Sequence, residues 1–268
     1  MVLLIGACSP GRKLATRFVM QEDNLHVLII PPSGLLKHYY PSDPMADTTG
    51  TLQPLPVGDS KFLAGLNDTA FVNYFMRSLR FHLQQLRIHV YGPENIDSFF
   101  QIDTVAYMFS VAQLELIEFD DEHIEMSMLD TTLYRVALPR TNIEKSTWFE
   151  FSEVNNHERS MEVLYSMQRT SDYFEGRFHY DWRSGELTYR YTPYYMEEPD
   201  VYDLAYFSGK KNAQYIFDHL MNLYIQEQAR SSRATRIYFQ YDAEQHAIRR
   251  AFDDRFIRIP QQTEQDPD

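Results

Sequence analysis

Leu25-His26-Val27-Leu28-Ile29-Ile30, cut off by Pro31-Pro32, and Arg87-Ile88-His89-Val90-Tyr91, cut off by Gly92-Pro93, are the two short β-branched runs that decide the fold. Each reads as a buried strand entering a turn. Between them, Asn67-Asp68-Thr69 offers side chains suited to a helix N-cap. Phe71, Val72, Phe75, Met76, Leu79, Leu83 and Leu86 follow at spacings of three and four, which sets them on one helix face. Strand, long loop, helix, strand is the βαβ order. It favours two parallel strands joined by a right-handed crossover.

Working outward, residues 31–60 read as one long loop, Pro-rich from Pro41 to Pro56. Residues 96–101 predict a short helical turn. Residues 104–119 predict one long strand, apolar on both faces as far as Ala112 and alternating after it, as in a strand leaving the centre of a sheet. Further strands are expected over residues 133–138, 147–154 and 161–169. Phe178, Tyr180 and Trp182 share a strand face, with Leu187, Tyr189 and Tyr191 across a hairpin whose turn places positive φ on Gly185. Residues 200–228 carry a helical stripe from Val201 and Leu204 through Phe217 to Tyr224, with Ser208-Gly209 as a place to bend. Residues 236–241 and 256–259 are strand-like, and residues 243–253 fit neither pattern. The sum is an α+β fold: a mixed, mostly antiparallel sheet with an N-terminal βαβ-like unit and two principal helices, in a single domain over residues 25–260.

Composition narrows the function classes. Of 268 residues, 44% are hydrophobic and 15% aromatic, too many for a disordered chain and enough for a core of its own. Against 25 Lys+Arg stand 38 Asp+Glu, a net charge of −13. Nucleic acid is therefore not expected as a partner, since it calls for a basic surface. One cysteine cannot make a disulfide framework or a multi-thiolate metal site. No apolar run approaches the ~20 residues of a membrane-spanning helix.

That one cysteine carries the clearest signal. Ile5-Gly6-Ala7-Cys8 resembles the bacterial lipobox: an aliphatic residue, two small residues, then a thiol to receive a diacylglyceryl group. Small residues let a peptidase approach the backbone, and the apolar run upstream holds the site in the membrane. The competing account is a buried first strand with a small hydrophobic cysteine behind it. A remainder free of thiols suits an oxidising envelope. Only seven residues precede Cys8, without the basic n-region of a signal, so the reading is that residues 1–7 are a signal remnant with the true start upstream. Residues 8–24 then form a tether, basic near the anchor. It lacks the acidic cluster of surface-export signals, which points to the periplasmic face of the outer membrane. Residues 261–268 read as a disordered tail.

Catalytic motifs are weak. Gly58-Asp59-Ser60 matches the nucleophile block of the GDS-type (SGNH) esterases, but it follows a Pro-rich stretch rather than a buried strand. Asp242-Ala243-Glu244-Gln245-His246 is one residue too long for the matching Asp-x-x-His. Turn chemistry accounts for the triplet. Asp120-Asp121-Glu122-His123 with Glu125 offers oxygen and imidazole ligands but no metal-loop spacing, so it reads as a solvated loop between strands. None of the nine histidines falls in a His-Glu-x-x-His pattern. No catalytic residue, metal ligand or cofactor site is expected. Tyr39, Tyr40, Tyr191, Tyr194 and Tyr195 are the partner-binding candidates, because tyrosine combines a large apolar ring with a polar handle. Sheet packing is the plainer account of the same residues.

With these residues laid out, the chain resembles an uncharacterised family of Bacteroidetes-type envelope lipoproteins. The similar segments include Arg12-Lys13-Leu14-Ala15, Pro31-Pro32-Ser33-Gly34, Phe75-Met76-Arg77-Ser78-Leu79-Arg80 and Asp181-Trp182-Arg183-Ser184-Gly185-Glu186. A looser architectural resemblance links residues 25–119 to the TolB N-terminal and CsgG-like lipoprotein domains. The resemblance implies an envelope address and a role in assembly. The expectation is a non-catalytic, lipid-anchored periplasmic protein that binds or scaffolds an envelope partner, and that meets membrane lipid through its acyl anchor. The alternatives are an envelope hydrolase or carbohydrate-active protein working through scattered carboxylates and aromatics, and a cytosolic soluble protein.

Overall fold

A computed structural model describes residues 10–20, 25–154, 161–229 and 237–260. In chain order the elements are α1 (Pro10–Met20), β1 (His26–Ile30), β2 (Leu36–Tyr40), α2 (Asp68–Gln85), β3 (His89–Tyr91), α3 (Ile96–Phe100), β4 (Ala106–Leu129) and β5 (Thr132–Glu153). Then come β6 (Glu162–Ser171), β7 (Tyr173–Asp181), β8 (Glu186–Tyr194), α4 (Glu198–Gln228), β9 (Tyr238–Asp242), β10 (Ala247–Ala251) and β11 (Ile257–Ile259). The class is α+β, as the sequence implies. The main sheet runs β11-β6-β5-β4-β1-β3, with β2 also on β4, and two separate hairpins, β7–β8 and β9–β10, accompany it. β11, β6, β5 and β4 pair antiparallel; β1, β2 and β3 join them in parallel.

The βαβ unit forms from local signals. Asn67 Oδ1 accepts the Ala70 N–H at 3.0 Å and starts α2. At the other end Arg87 takes φ +59°, while the Ile88 N–H reaches Leu83 O and the Arg87 N–H reaches Gln84 O. This left-handed cap closes the last carbonyls and turns the chain straight into β3, parallel to β1. α1, α2 and α4 cover one face of the sheet around Phe75, Phe109, Phe149, Phe151 and Phe217. Phe99 of α3 packs on Leu28 and Ala106 on the other face. Both faces of the first half of β4 are thus buried. A register shift between Val111 and Gln113 then moves the inward side from odd to even positions.

Several expectations need correction. The long loop contains β2, whose residues Leu36 to Tyr40 pair with Glu115 to Phe119. β1 and β2 therefore lie along the same edge of β4, as one strand interrupted at Pro31-Pro32. The tether contains α1, whose Gly11, Ala15 and Phe18 point inward. Phe18 meets the rings of Phe217 and Tyr224 at 5.5 and 5.6 Å, so residues 10–20 pack on the folded unit ahead of residue 25. Three inward positions, two of them small, made too faint a stripe to see. β4 runs ten residues past Phe119, and the two strands expected over residues 133–138 and 147–154 are one strand, β5. Ser208-Gly209 does not break α4. A Cβ on Gly209 would come within 2.5 Å of Phe75 O, so glycine is what lets α4 approach α2. Residues 247–251 form β10 against β9.

Candidate functional site: a two-layer β arm

Pairing with β2 ends at Phe119 and pairing with β6 ends at Asn142. Residues 120–129 and 132–141 therefore continue alone as a two-stranded arm, joined by Asp130-Thr131 with Asp130 at φ +53°. Pro139 lies where β5 has only β4 beside it, a position proline tolerates because no second ladder needs its missing N–H. The arm extends the charge run that suggested a loop, and strand alternation sorts that run. Asp121, His123 and Glu125 share one face; Asp120 and Glu122 take the other. The four acids and the imidazole cannot converge on one ion. His123 Nε2 instead meets Glu125 Oε1 at 3.1 Å, and Arg140 binds both Asp121 oxygens at 2.7 and 2.6 Å. That pairing holds the Asp121 carboxyl below its usual range.

A bare hairpin is marginal in water. Here β7–β8 backs it. Asp172 accepts the Thr141 and Met196 N–H groups at 3.0 and 2.7 Å and so fixes the base of the second hairpin. Phe174 then sits 5.5 Å from the His123 ring, and the arm's inner positions, among them Val136 and Leu138, are shielded. Tyr189 lies over Gly176, where any Cβ would collide with its ring. Burial and nearby Glu125 push its hydroxyl upward. The arm's other face is open: Ile124, Met126, Met128 and Leu133 are all exposed, Met128 at 71%. Glu122 and Arg135 pair across that face at 3.1 Å.

The tyrosine candidates divide. Tyr191 and Tyr195 flank Phe174 at 5.8 and 6.3 Å, and Tyr194 stacks on Tyr173 at 5.9 Å on the opposite side of the same hairpin. All three are exposed, as is Trp182 in the turn. Tyr39 and Tyr40 are only half exposed and belong to β2, paired with Glu118 and Phe119 at the root of the arm. Sequence reasoning missed the aliphatic and Met row at Ile124, Met126 and Met128. Its alternation with His123, Glu125 and Ser127 was the available signal.

Ser60 is buried, with Oγ donating to Val57 O at 2.7 Å, and His246 Nδ1 lies 3.1 Å from the Tyr241 hydroxyl. The two are not brought together as nucleophile and base. Cys8 lies outside the described residues.

Buried polar groups elsewhere are committed to packing. Glu118 accepts the N–H groups of Lys61, Phe62 and Leu63 and pins that segment to β4. Gln214, Asp218 and Asn222, one turn apart on α4, hydrogen-bond the backbone of β9 at Phe239 and Tyr241. Burial outweighs Arg255, 3.2 Å away, and pushes Asp218 up to about 7. His219 Nδ1 meets Asp254 at 2.9 Å, and the edges of Phe151 and Phe256 seal the ring. Burial alone would raise Asp254, but this hydrogen bond and the imidazole charge hold it below its usual range. Lys145 of β5 is wholly buried with Gln168, Thr147, Ser166 and Asn212, and burial pushes its amine well below the usual lysine range.

No protein-family model matches the chain, and no curated protein matches it.

Proposed function

We propose that the chain is a lipid-anchored envelope protein, without a catalytic role of its own, that holds a protein partner at its β arm on the periplasmic face of the outer membrane. The observation that carries this reading is the row Ile124, Met126, Met128 and Leu133, exposed on an arm whose other face is stiffened by a second hairpin. A row of apolar side chains left open on a supported strand pair is the kind of surface a partner covers. Methionine adapts to irregular partners, and the Glu122–Arg135 pair on the same face gives the row a polar edge.

The anchor fits the same geometry. Pro10, two residues after Cys8, begins α1, so an acyl chain on Cys8 would seat the folded unit close to the bilayer. Arg12, Lys13 and Arg17 are exposed on that helix, where anionic headgroups attract basic residues. The likeness to envelope lipoproteins supports the same address.

Two variants of the full chain test the reading. Cys8→Ser is expected to move the protein from the membrane to the soluble fraction. Met126→Glu/Met128→Glu is expected to release the partner while shifting stability by less than about 0.5 kcal/mol, as exposed substitutions do. Retention of Cys8→Ser in the membrane would overturn the anchor. An unchanged set of co-purifying proteins in the arm variant would overturn the docking surface.

A further inference from the structure

We infer that the cleft between α2, α4 and the β9–β10 hairpin binds a small organic carboxylate with an aromatic or apolar body. The inference is independent of the arm. The cleft encloses about 340 Å³, inside the roughly 300–1,000 Å³ of small-molecule sites. It is too small to seat a folded partner. Leu86 and Phe207 supply apolar wall, and both helices and the hairpin are fixed by core packing, so the cleft exists without a ligand.

Charge gives it its sign. In a chain of net −13, this cleft is lined by four cationic side chains against two acidic ones. The acids are already paired: Asp242 with Arg249 at 3.0 Å, and Glu244 with Lys210 at 3.5 Å. Two cations remain. Lys211 Nζ lies 5.2 Å from the centre of the Phe207 ring, and among the described residues it has no acidic partner. Arg255 is held in place by Gln240 Oε1 at 3.0 Å and by Asp218 at 3.2 Å. Because burial pushes Asp218 up to about 7, that carboxyl offsets Arg255 only in part near neutral pH. An ammonium over an aromatic ring, in a cleft also lined by a fixed guanidinium, is a receptor for a carboxylate joined to an apolar group, with the acid on Lys211 and the body against the apolar wall of Leu86 and Phe207.

Phenylacetate, benzoate and indole-3-acetate, each paired with its amide, test this on the full chain by saturation-transfer NMR and calorimetry. The acids are expected to bind and the amides to bind at least about tenfold more weakly. Lys211→Gln is expected to weaken acid binding by about tenfold, and Lys211→Arg to keep it within about threefold, because the charge is retained. Lys211 is half exposed, so neither change threatens the fold. Equal binding of acid and amide, no binding at millimolar ligand, or an unaffected Lys211→Gln would each overturn the inference.

Discussion

Lys145→Met is expected to make the protein more stable at neutral pH, although it deletes a hydrogen bond. Lys145 has no exposed surface; its Nζ meets Gln168 Oε1 at 3.1 Å, lies 4.4 Å from the centre of the Phe75 ring, and has no acidic partner among the described residues. Burial depresses the amine well below the 10.5 of a free lysine. The unfolded chain therefore binds a proton there that the folded chain resists, and stability falls as pH drops from the unfolded value toward the folded one. Methionine has similar length and no such cost. Exchanging buried charged groups for apolar ones of similar volume stabilises by ~1–4 kcal/mol, while leaving Gln168 Oε1 without a donor costs ~1–3 kcal/mol. The balance is a gain of roughly 1 kcal/mol for Lys145→Met and roughly 2–3 kcal/mol for Lys145→Met/Gln168→Leu, which leaves neither partner behind. For a chain of this size each kcal/mol is worth about 2–4 °C in the melting temperature. Urea unfolding at about pH 7 and about pH 9.5 reads both variants, and their advantage is expected to shrink at the higher pH as the wild-type cost fades. An advantage that is the same at both pH values refutes the reasoning. So does a loss of more than about 1 kcal/mol in the single variant at neutral pH.

Asp218 has the opposite sign. Its folded pKa of about 7 stands above the unfolded 3.8, so its contribution is fully present below the unfolded value and is lost as pH rises through about 7. Between about pH 5 and pH 8 the wild type is expected to lose about 2–3 kcal/mol that Asp218→Asn keeps, in paired urea titrations; parallel curves would contradict it. Gly209→Ala should destabilise by about 1–3 kcal/mol although alanine is the better helix former by about 1 kcal/mol, because the new Cβ meets the α2 backbone. A rise in the melting temperature would count against that close approach. Phe18→Ala should cost about 3–5 kcal/mol in urea unfolding if α1 belongs to the core, whereas a tether residue would cost less than about 0.5 kcal/mol.

What could be read from the sequence was what local chemistry dictates. The Asn67 cap, the α2 stripe and the two β-branched runs beside it fix the βαβ unit with contacts near in sequence. The Gly185 turn likewise places Phe178 opposite Tyr189 and Tyr180 opposite Leu187, as the alternation requires. The missed elements depend on distant partners. Leu36-Lys37-His38-Tyr39-Tyr40 has little apolar character of its own and becomes a strand because β4 offers an edge. Apart from Ile143, Asn142 to Thr147 are polar residues, yet they are buried in the middle of β5 because β4, β6 and the helices surround them. The arm hid behind its charges: alternation within an acidic run looks like solvent exposure until a second hairpin is seen to cover every other residue. For the same reason three of the five tyrosines were placed on the exposed hairpin, but the methionine row opposite them was not foreseen.

Contact between the arm and a partner is the most direct test of the proposed docking surface. A photo-crosslinking amino acid placed in cells at Met126, Met128 or Leu133, with Asp97 on α3 as an exposed control, measures that contact. One discrete adduct of the same size is expected from the arm positions and none from Asp97. No adduct from the arm, or the same adducts from Asp97 as from Met126, would contradict it.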